Sequence, residues 1–265
     1  MLSIAGSDSG GGAGIQADLK AFAACGVHGM TAVTAITAQN TVAVTAVHHV
    51  PGETIVDQVK AVIDDIGVDA VKIGMLGTEA IISAVATALD LLRSGTPVVL
   101  DPVMVAESGA ELLERGARRS LVELILPRAT VVTPNLPEAR ALAGEGAVMR
   151  DAGAETLARA IRQLGPEIVV ITGGHRERAS DLFFDGEQVV EIPGPRHPDG
   201  AAHGSGCTHS SVLAARLAWG DEPLEAARVA KAMAARAVAD GLADIGLGAG
   251  PVNVLGLPAR ALRPA

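Results

Sequence analysis

The sequence has no tyrosine, only three phenylalanines and a single tryptophan in 265 residues. Proteins that grip single-stranded nucleic acid stack the bases on aromatic rings. Phe22, Phe183, Phe184 and Trp219 are too few for such a platform, or for an aromatic cage around a ligand. Positive charge is scarce as well: 21 Lys and Arg against 30 Asp and Glu leave a net charge of −9. A nucleic-acid binder carries a basic face, so no nucleic-acid partner is expected. No apolar run approaches the roughly 20 residues of a membrane-spanning helix. The opening MLSIAGSDSGGG lacks the basic and apolar regions of a signal peptide. The two cysteines, Cys25 and Cys207, lie far apart and form neither a disulfide framework nor a CxxC zinc pair. His48 and His49 are adjacent and fall on opposite faces of a strand, and there is no HExxH, so a transition-metal site is not expected. These absences favour a reducing, cytoplasmic setting and no membrane partner.

Apolar residues are plentiful at 49%, with a mean hydropathy of +0.35, enough for a large core. Short β-rich runs alternate with alanine-rich segments of helical period. Strands are predicted at 2–6, 31–37, 42–50, 70–73, 97–103, 129–133 and 167–172. Helices are predicted at 15–25, 54–66, 79–93, 117–126, from Asn135, and at 154–164. A hairpin at 180–185 and 187–192 and helices at 206–219 and 223–241 follow. The alternation predicts a mostly parallel sheet with helices on both faces. No linker or repeat divides the chain, so one domain over 1–265 is expected, its last ~15 residues a loose tail.

Ligands of such sheets sit beyond the carboxyl ends of the strands. The residues there are Gly6–Gly14, Gln39–Asn40, Gly74–Met75, Asp101–Pro102, Pro134–Asn135 and Gly173–His175. Tight turns explain glycine and proline at any one of these places, but the whole set on one rim points to a cleft. Gly12–Ala17 matches the G-x-G-x-x-A dinucleotide pattern, yet the acid expected about 20 residues later is replaced by Thr37-Ala-Gln39-Asn40. None of Lys20, Lys60, Lys72 and Lys231 sits in a P-loop. The first glycine loop therefore reads as a close backbone approach to a small ligand.

The second loop, His203-Gly-Ser-Gly-Cys-Thr208, opens a helix. Glycine-freed amides at a helix N-terminus make an anion hole, and the dipole there favours a Cys207 thiolate. A plain turn followed by a small buried cysteine is the bland alternative. Two chemistries suit the loop: phosphoryl transfer with a nearby base, or acyl transfer by Cys207 with His203 or His209 as base. Asp101 and Glu138 could hold Mg²⁺ near phosphates. Glu138, three residues after Asn135, equally suits a capping box.

The segments AGSDSGGGAGIQADLK (5–20), TAITAQNT (34–41), KIGML (72–76), LDPVM (100–104), TPNLPEA (133–139), GGH (173–175) and HGSGCT (203–208) have a distinctive order and spacing. In these the chain resembles the hydroxymethylpyrimidine/phosphomethylpyrimidine kinases of thiamine biosynthesis, within the ribokinase-like superfamily, from residue 2 to about 250. The resemblance implies a three-layer α/β/α sandwich with a mainly parallel sheet. It implies transfer of the ATP γ-phosphate to 4-amino-5-hydroxymethyl-2-methylpyrimidine, then a second transfer to the monophosphate. It implies Gly204, Ser205 and Gly206 as the anion hole and Cys207 as the base. By the same resemblance Gln39, Asp18, Met75, Gly6, Ala13 and Val103 bind the pyrimidine. Asn135, Glu138, Thr172 and Gly174 bind the nucleotide, Asp101 and Glu138 hold Mg²⁺, and the protein is a homodimer. Gln39 offers a donor and an acceptor to an aminopyrimidine edge, and Met75 a soft apolar wall. The chain departs from the pattern at Thr172, where many members have lysine, and at Ser205, where threonine is usual. A pyridoxal kinase is the near alternative, because pyridoxal shares the heteroaromatic ring and hydroxymethyl arm. A cysteine-dependent hydrolase and a non-catalytic precursor binder are the alternatives from other classes.

Overall fold

The computed structural model describes residues 1–114, 116–144, 152–173, 179–198 and 200–258. Gly174 and His175, both singled out in the sequence, lie outside the described residues.

Among the described residues the strands form one sheet in the order β3-β2-β1-β4-β5-β6-β7-β8-β9. These are β1 (Leu2–Asp8), β2 (Met30–Gln39), β3 (Val44–His49), β4 (Val71–Ile73), β5 (Val98–Leu100), β6 (Val131–Val132), β7 (Ile168–Ile171), β8 (Asp181–Phe184) and β9 (Val189–Ile192). Strands β1, β2 and β4 to β7 run parallel. Strand β3 at one edge, and β8 and the opposite edge strand β9, run antiparallel to their neighbours. Strands β5, β6 and β7 are wholly apolar because both faces of the sheet are covered.

One face carries α2 (Gly52–Asp65), α3 (Glu79–Leu89), α4 (Ala117–Ser120), α5 (Leu136–Ala143) and α6 (Ala154–Arg162). Ile55, Val59, Ile82, Val85, Leu157 and Ile161 pack there against Ile4, Ile73 and Leu100. The other face carries α1 (Gly14–Ala24), α7 (Ser205–Ala218) and α8 (Pro223–Ala239), with Phe22, Val212, Leu213, Ala227 and Ala230 packed on Val99, Val131 and Val170. The small alanines let α7 and α8 lie close together. The result is the expected three-layer sandwich.

Two expectations are corrected. The helix predicted at 117–126 is α-helical only to Ser120; a π-helical turn at Leu121–Ile125 and a 3₁₀ turn at Leu126–Arg128 follow. Pro127 has no N–H to continue the α-helical ladder. The segment taken for a loose tail is packed as far as Asn253, where Pro251, Val252 and Asn253 are buried. Its backbone bonds run to the loop before α7 and to the end of α8: Val252 N–H to His203 O at 3.0 Å and Asn253 N–H to Ala237 O at 2.8 Å. Composition alone hides such pairing, because glycine and proline say nothing about backbone partners.

From β1 the chain steps to β2 on one side and later to β4 on the other. This reversal opens a crevice at the carboxyl ends of β1 and β4, where open α/β sheets bind ligands.

Candidate active site

A cavity of about 510 Å³ occupies that crevice and continues along the carboxyl ends of β5 to β7. Gly6, Ala13, Gln39, Met75 and Val103 line one end. Asn135, Glu138 and Thr172, with Ala234, Ala235 and Val238 of α8, line the other. Asp101 and the segment Gly204–Cys207 border the same space. Of the loops that sequence reasoning placed on one rim, those carrying Gly6–Gly14, Gln39, Met75, Asp101 and Asn135 come together around the cavity.

Asp18 is the exception. It is fully buried within α1 and does not border the cavity. Its carboxylate accepts hydrogen bonds from Ser3 Oγ (2.6 Å), Ser211 Oγ (2.7 Å) and Lys72 Nζ (2.8 Å). Lys72, in the middle of β4, is also completely buried and lies 4.0 Å from Asp101 Oδ2. Burial opposes its charge, but Asp18, Cys207 and Asp101 more than offset this and hold its pKa above the ordinary lysine value. Sequence reasoning missed Lys72 as a site residue. Its signal was present, since a charged residue in an apolar parallel strand is rarely buried without a partner.

Gln39 is fixed by the first glycine loop. Ser9 Oγ donates to Gln39 O (2.7 Å) and accepts from Gln39 N–H (2.8 Å). Thr37 Oγ1 lies 3.1 Å from Gln39 Oε1. The amide of Gln39 is thus held at that end of the cavity with hydrogen-bonding capacity to spare.

Gly204 has φ +84°, and a Cβ there would overlap the carbonyl oxygen of Gly12, so only glycine fits. In α7, Ser205 N–H is already spent on Ala202 O at 3.0 Å, and Thr208 N–H on Gly204 O at 2.9 Å. The first-turn amides left without a helical acceptor are those of Gly206 and Cys207. Of the residues expected to form the anion hole, Gly204, Ser205 and Gly206, Ser205 has its N–H bonded within the loop, whereas the amides of Gly206 and its neighbour Cys207 have no helical acceptor.

Cys207 borders the cavity, yet its thiol is desolvated, which pushes its pKa up to about 12. Lys72 and the Gly14 N–H, which donates to the sulfur, work against this shift; Asp101 and Asp18 reinforce it. The expectation of a dipole-favoured thiolate does not hold for the ligand-free chain, because burial and two carboxylates outweigh the helix end.

Asn135 caps α5 by accepting from Glu138 N–H (2.9 Å), and Glu138 Oε2 accepts from Asn135 N–H (2.9 Å). The capping box read from the sequence is present. Glu138 also borders the cavity; burial, then the charge of Asp101, raise its pKa to about 8. Asp101, which accepts from Ser210 Oγ at 3.1 Å, is likewise raised by burial. Two neighbouring carboxyl groups held from ionising are a pair that a cation would relieve. Among the described residues no group of three or more His, Cys, Asp or Glu side chains could hold a metal by itself. The donor set fits Mg²⁺ carried on phosphates, which needs only one or two carboxylates.

A further cluster was not foreseen. Lys231 Nζ donates to Asp181 Oδ1 (2.7 Å), which also accepts from Gly173 N–H (2.9 Å). His209 Nε2 lies 3.1 Å from Asp181 Oδ2 but off the line of a hydrogen bond. Burial would raise Asp181, yet His209 and Lys231 hold its pKa low. The three come from different elements with no common spacing, so no sequence signal joined them.

A family model described as phosphomethylpyrimidine kinase matches residues 8–253. A hydroxymethylpyrimidine/phosphomethylpyrimidine kinase of Rhizobium meliloti is 50% identical over 256 residues, 95% of each chain. A crystal structure of phosphomethylpyrimidine kinase from Clostridium difficile superposes with a TM-score of 0.74 at 39% identity, covering 87% of this chain and 95% of that one. The pyridoxal kinase of Staphylococcus aureus in complex with ADP superposes with a TM-score of 0.84 at 35% identity, covering 96% and 92%.

Proposed function

The chain belongs to the phosphomethylpyrimidine kinase family and is a phosphotransferase, and from that premise we propose how its cleft works and on what. The substrate is 4-amino-5-hydroxymethyl-2-methylpyrimidine, and then its monophosphate, for thiamine biosynthesis. The donor is ATP. The observation that carries this reading is the single cavity with Gln39 and Met75 at one end, Asn135 and Glu138 at the other, and Gly204–Cys207 between them.

In the reading, the ring lies among Gly6, Ala13, Met75 and Val103, with its amino edge on Gln39. The nucleotide extends past Asn135, Glu138 and Thr172 towards α8. Phosphoryl transfer spreads negative charge over the moving group's oxygens, so catalysis is mostly placement and charge stabilisation. The Gly206 and Cys207 amides, at the positive end of α7, supply that stabilisation. The hydroxymethyl oxygen forms the new P–O bond as the bond to the ADP oxygen breaks, and its proton passes to the sulfur of Cys207 in the thiolate form. Lys72 Nζ and the Gly14 N–H are the groups that favour that form. Mg²⁺, held by Asp101 and Glu138, would neutralise phosphate charge. Asp18 acts from beneath through Lys72 rather than by touching the ring.

Pyridoxal is the second candidate, because pyridoxal kinases superpose on this chain as well as the pyrimidine kinase does. A cysteine hydrolase is set aside, since the family model and the curated relatives are kinases. The reading carries with it one catalytic domain, a homodimer and a cytoplasmic location. No helix among the described residues is long and apolar enough to cross a membrane. The test is an ADP-release assay with the pyrimidine alcohol, its monophosphate and pyridoxal side by side. The highest kcat/KM should belong to the alcohol or its monophosphate; a higher value for pyridoxal would reassign the enzyme.

A further inference from the structure

The two glycine loops meet through a contact that the kinase reading does not use. Asp8 ends β1 and is buried. Its Oδ1 accepts from Gly10 N–H at 2.7 Å. Its Oδ2 accepts from Gly12 N–H at 3.0 Å and Ala13 N–H at 2.8 Å, and meets His203 Nε2 at 3.0 Å. Burial opposes ionisation of Asp8, but His203 and the Ala13 and Gly10 amides hold its carboxyl below the ordinary range. A carboxylate only accepts, so Nε2 of His203 carries the hydrogen.

His203 stands in the loop before α7, 195 residues from Asp8. Its own backbone is tied to Gly250 O (3.2 Å) and Val252 N–H (3.0 Å). There is no slack between the loops: a Cβ on Gly12 would overlap the His203 ring. Gly14, just beyond the amides that Asp8 binds, opens α1 and sends its N–H to the Cys207 sulfur. Asp8 therefore consumes the amides that a dinucleotide phosphate would need in a G-x-G-x-x-A loop, and spends them on joining that loop to the second one.

We propose that Asp8 is a positioning residue: by fastening the first glycine loop to the loop that opens α7, it sets the distance between the pyrimidine end of the cleft and the Gly206–Cys207 amides. The inference rests on reading Gly204–Cys207 as the transfer site. Asp8 lines the cavity, and its carboxylate contacts are all to the two loops. A loop free to shift by about 1 Å would cost on the order of 10²-fold in rate, with little effect on nucleotide binding at the far end.

The test is steady-state kinetics on the full chain with ATP and the pyrimidine alcohol, for Asp8→Asn, His203→Ala, the double variant and Cys207→Ala. Each of the first two should lower kcat by about 10- to 10²-fold, with the KM for ATP within about threefold of the parent. The double variant should be no worse than the weaker single by more than about threefold, because the contact that His203→Ala removes is already lost in Asp8→Asn. If Asp8→Asn does not fold, His203→Gln carries the test, since its amide can donate where Nε2 did; it should recover about tenfold of the His203→Ala loss. Effects that multiply, or variants with a lower Tm but unchanged kcat, would overturn the proposal. Cys207→Ala inactive with Asp8→Asn at full kcat overturns the Asp8 inference alone. Cys207→Ala within about tenfold of the parent removes the transfer-site reading and the inference with it.

Discussion

Lys72 Nζ and Asp18 Oδ1 stand 2.8 Å apart with both side chains wholly out of solvent, under the sulfur of Cys207. Ser3 and Ser211 supply two more hydrogen bonds to the carboxylate. Removing one partner leaves a buried charge uncompensated, which costs about 3–5 kcal/mol. Asp18→Ala should therefore lower the urea-unfolding free energy by about that amount, far more than a solvated helix residue would. An Asp18→Ala chain of parental stability with only a raised KM for the pyrimidine would instead make Asp18 a direct ligand contact.

Glu138 predicts how the ligand-free chain responds to pH. Its pKa is raised from 4.5 to about 8 in the fold. A raised carboxyl stabilises the fold fully below its unfolded pKa and loses that contribution as pH climbs towards the folded value. Thermal unfolding should therefore show stability falling between roughly pH 4.5 and pH 8, by at most about 1.4 kcal/mol per pH unit from this group. Glu138→Gln should flatten that part of the slope. A slope unchanged in Glu138→Gln would contradict the assignment.

Cys207 predicts the pH dependence of catalysis. With its thiol raised to about 12, the thiolate fraction of the free enzyme is small at neutral pH and grows about tenfold per pH unit. The kcat/KM for the pyrimidine alcohol should rise with pH through the neutral and mildly alkaline range. A profile that is flat from pH 6 to pH 9, or that falls, would argue against the sulfur as proton acceptor.

Gly204 can be tested sterically. At φ +84° and against the Gly12 carbonyl, a methyl group has no room. Gly204→Ala should displace one glycine loop from the other and abolish measurable turnover. Gly26→Ala, also at positive φ but with open space around it, is the control and should keep its kcat.

Much of this arrangement was legible beforehand, for physical reasons. Buried parallel strands are mostly apolar, so β1, β4, β5 and β7 stood out despite Lys72 within β4. Asn135 and Glu138 carry their capping box in their spacing. The glycines of both loops mark places where backbone must approach backbone. What was hidden depends on distance through space. Asp18 looked like a helix residue near a glycine loop, and only Lys72, 54 residues away, reveals that its carboxylate points into the core. Asp8 is one residue of the first glycine loop in the sequence, and its bond to His203, 195 residues away, exists only in the fold. Asp181, His209 and Lys231 sit on a strand and two helices and share no period. The thiol of Cys207 illustrates the same point. Helix position favours its ionisation, and burial beside Asp101 and Asp18 reverses the sign.

The account depends most on the sulfur and amides at the start of α7 acting on the transferred group. The direct measurement is kcat for ATP-dependent phosphorylation of the pyrimidine alcohol by Cys207→Ala, alongside circular dichroism to confirm the fold. The predicted result is a folded protein with kcat lowered by about 10²-fold or more and a KM for ATP within about threefold. A folded Cys207→Ala protein turning over within about tenfold of the parent would contradict it.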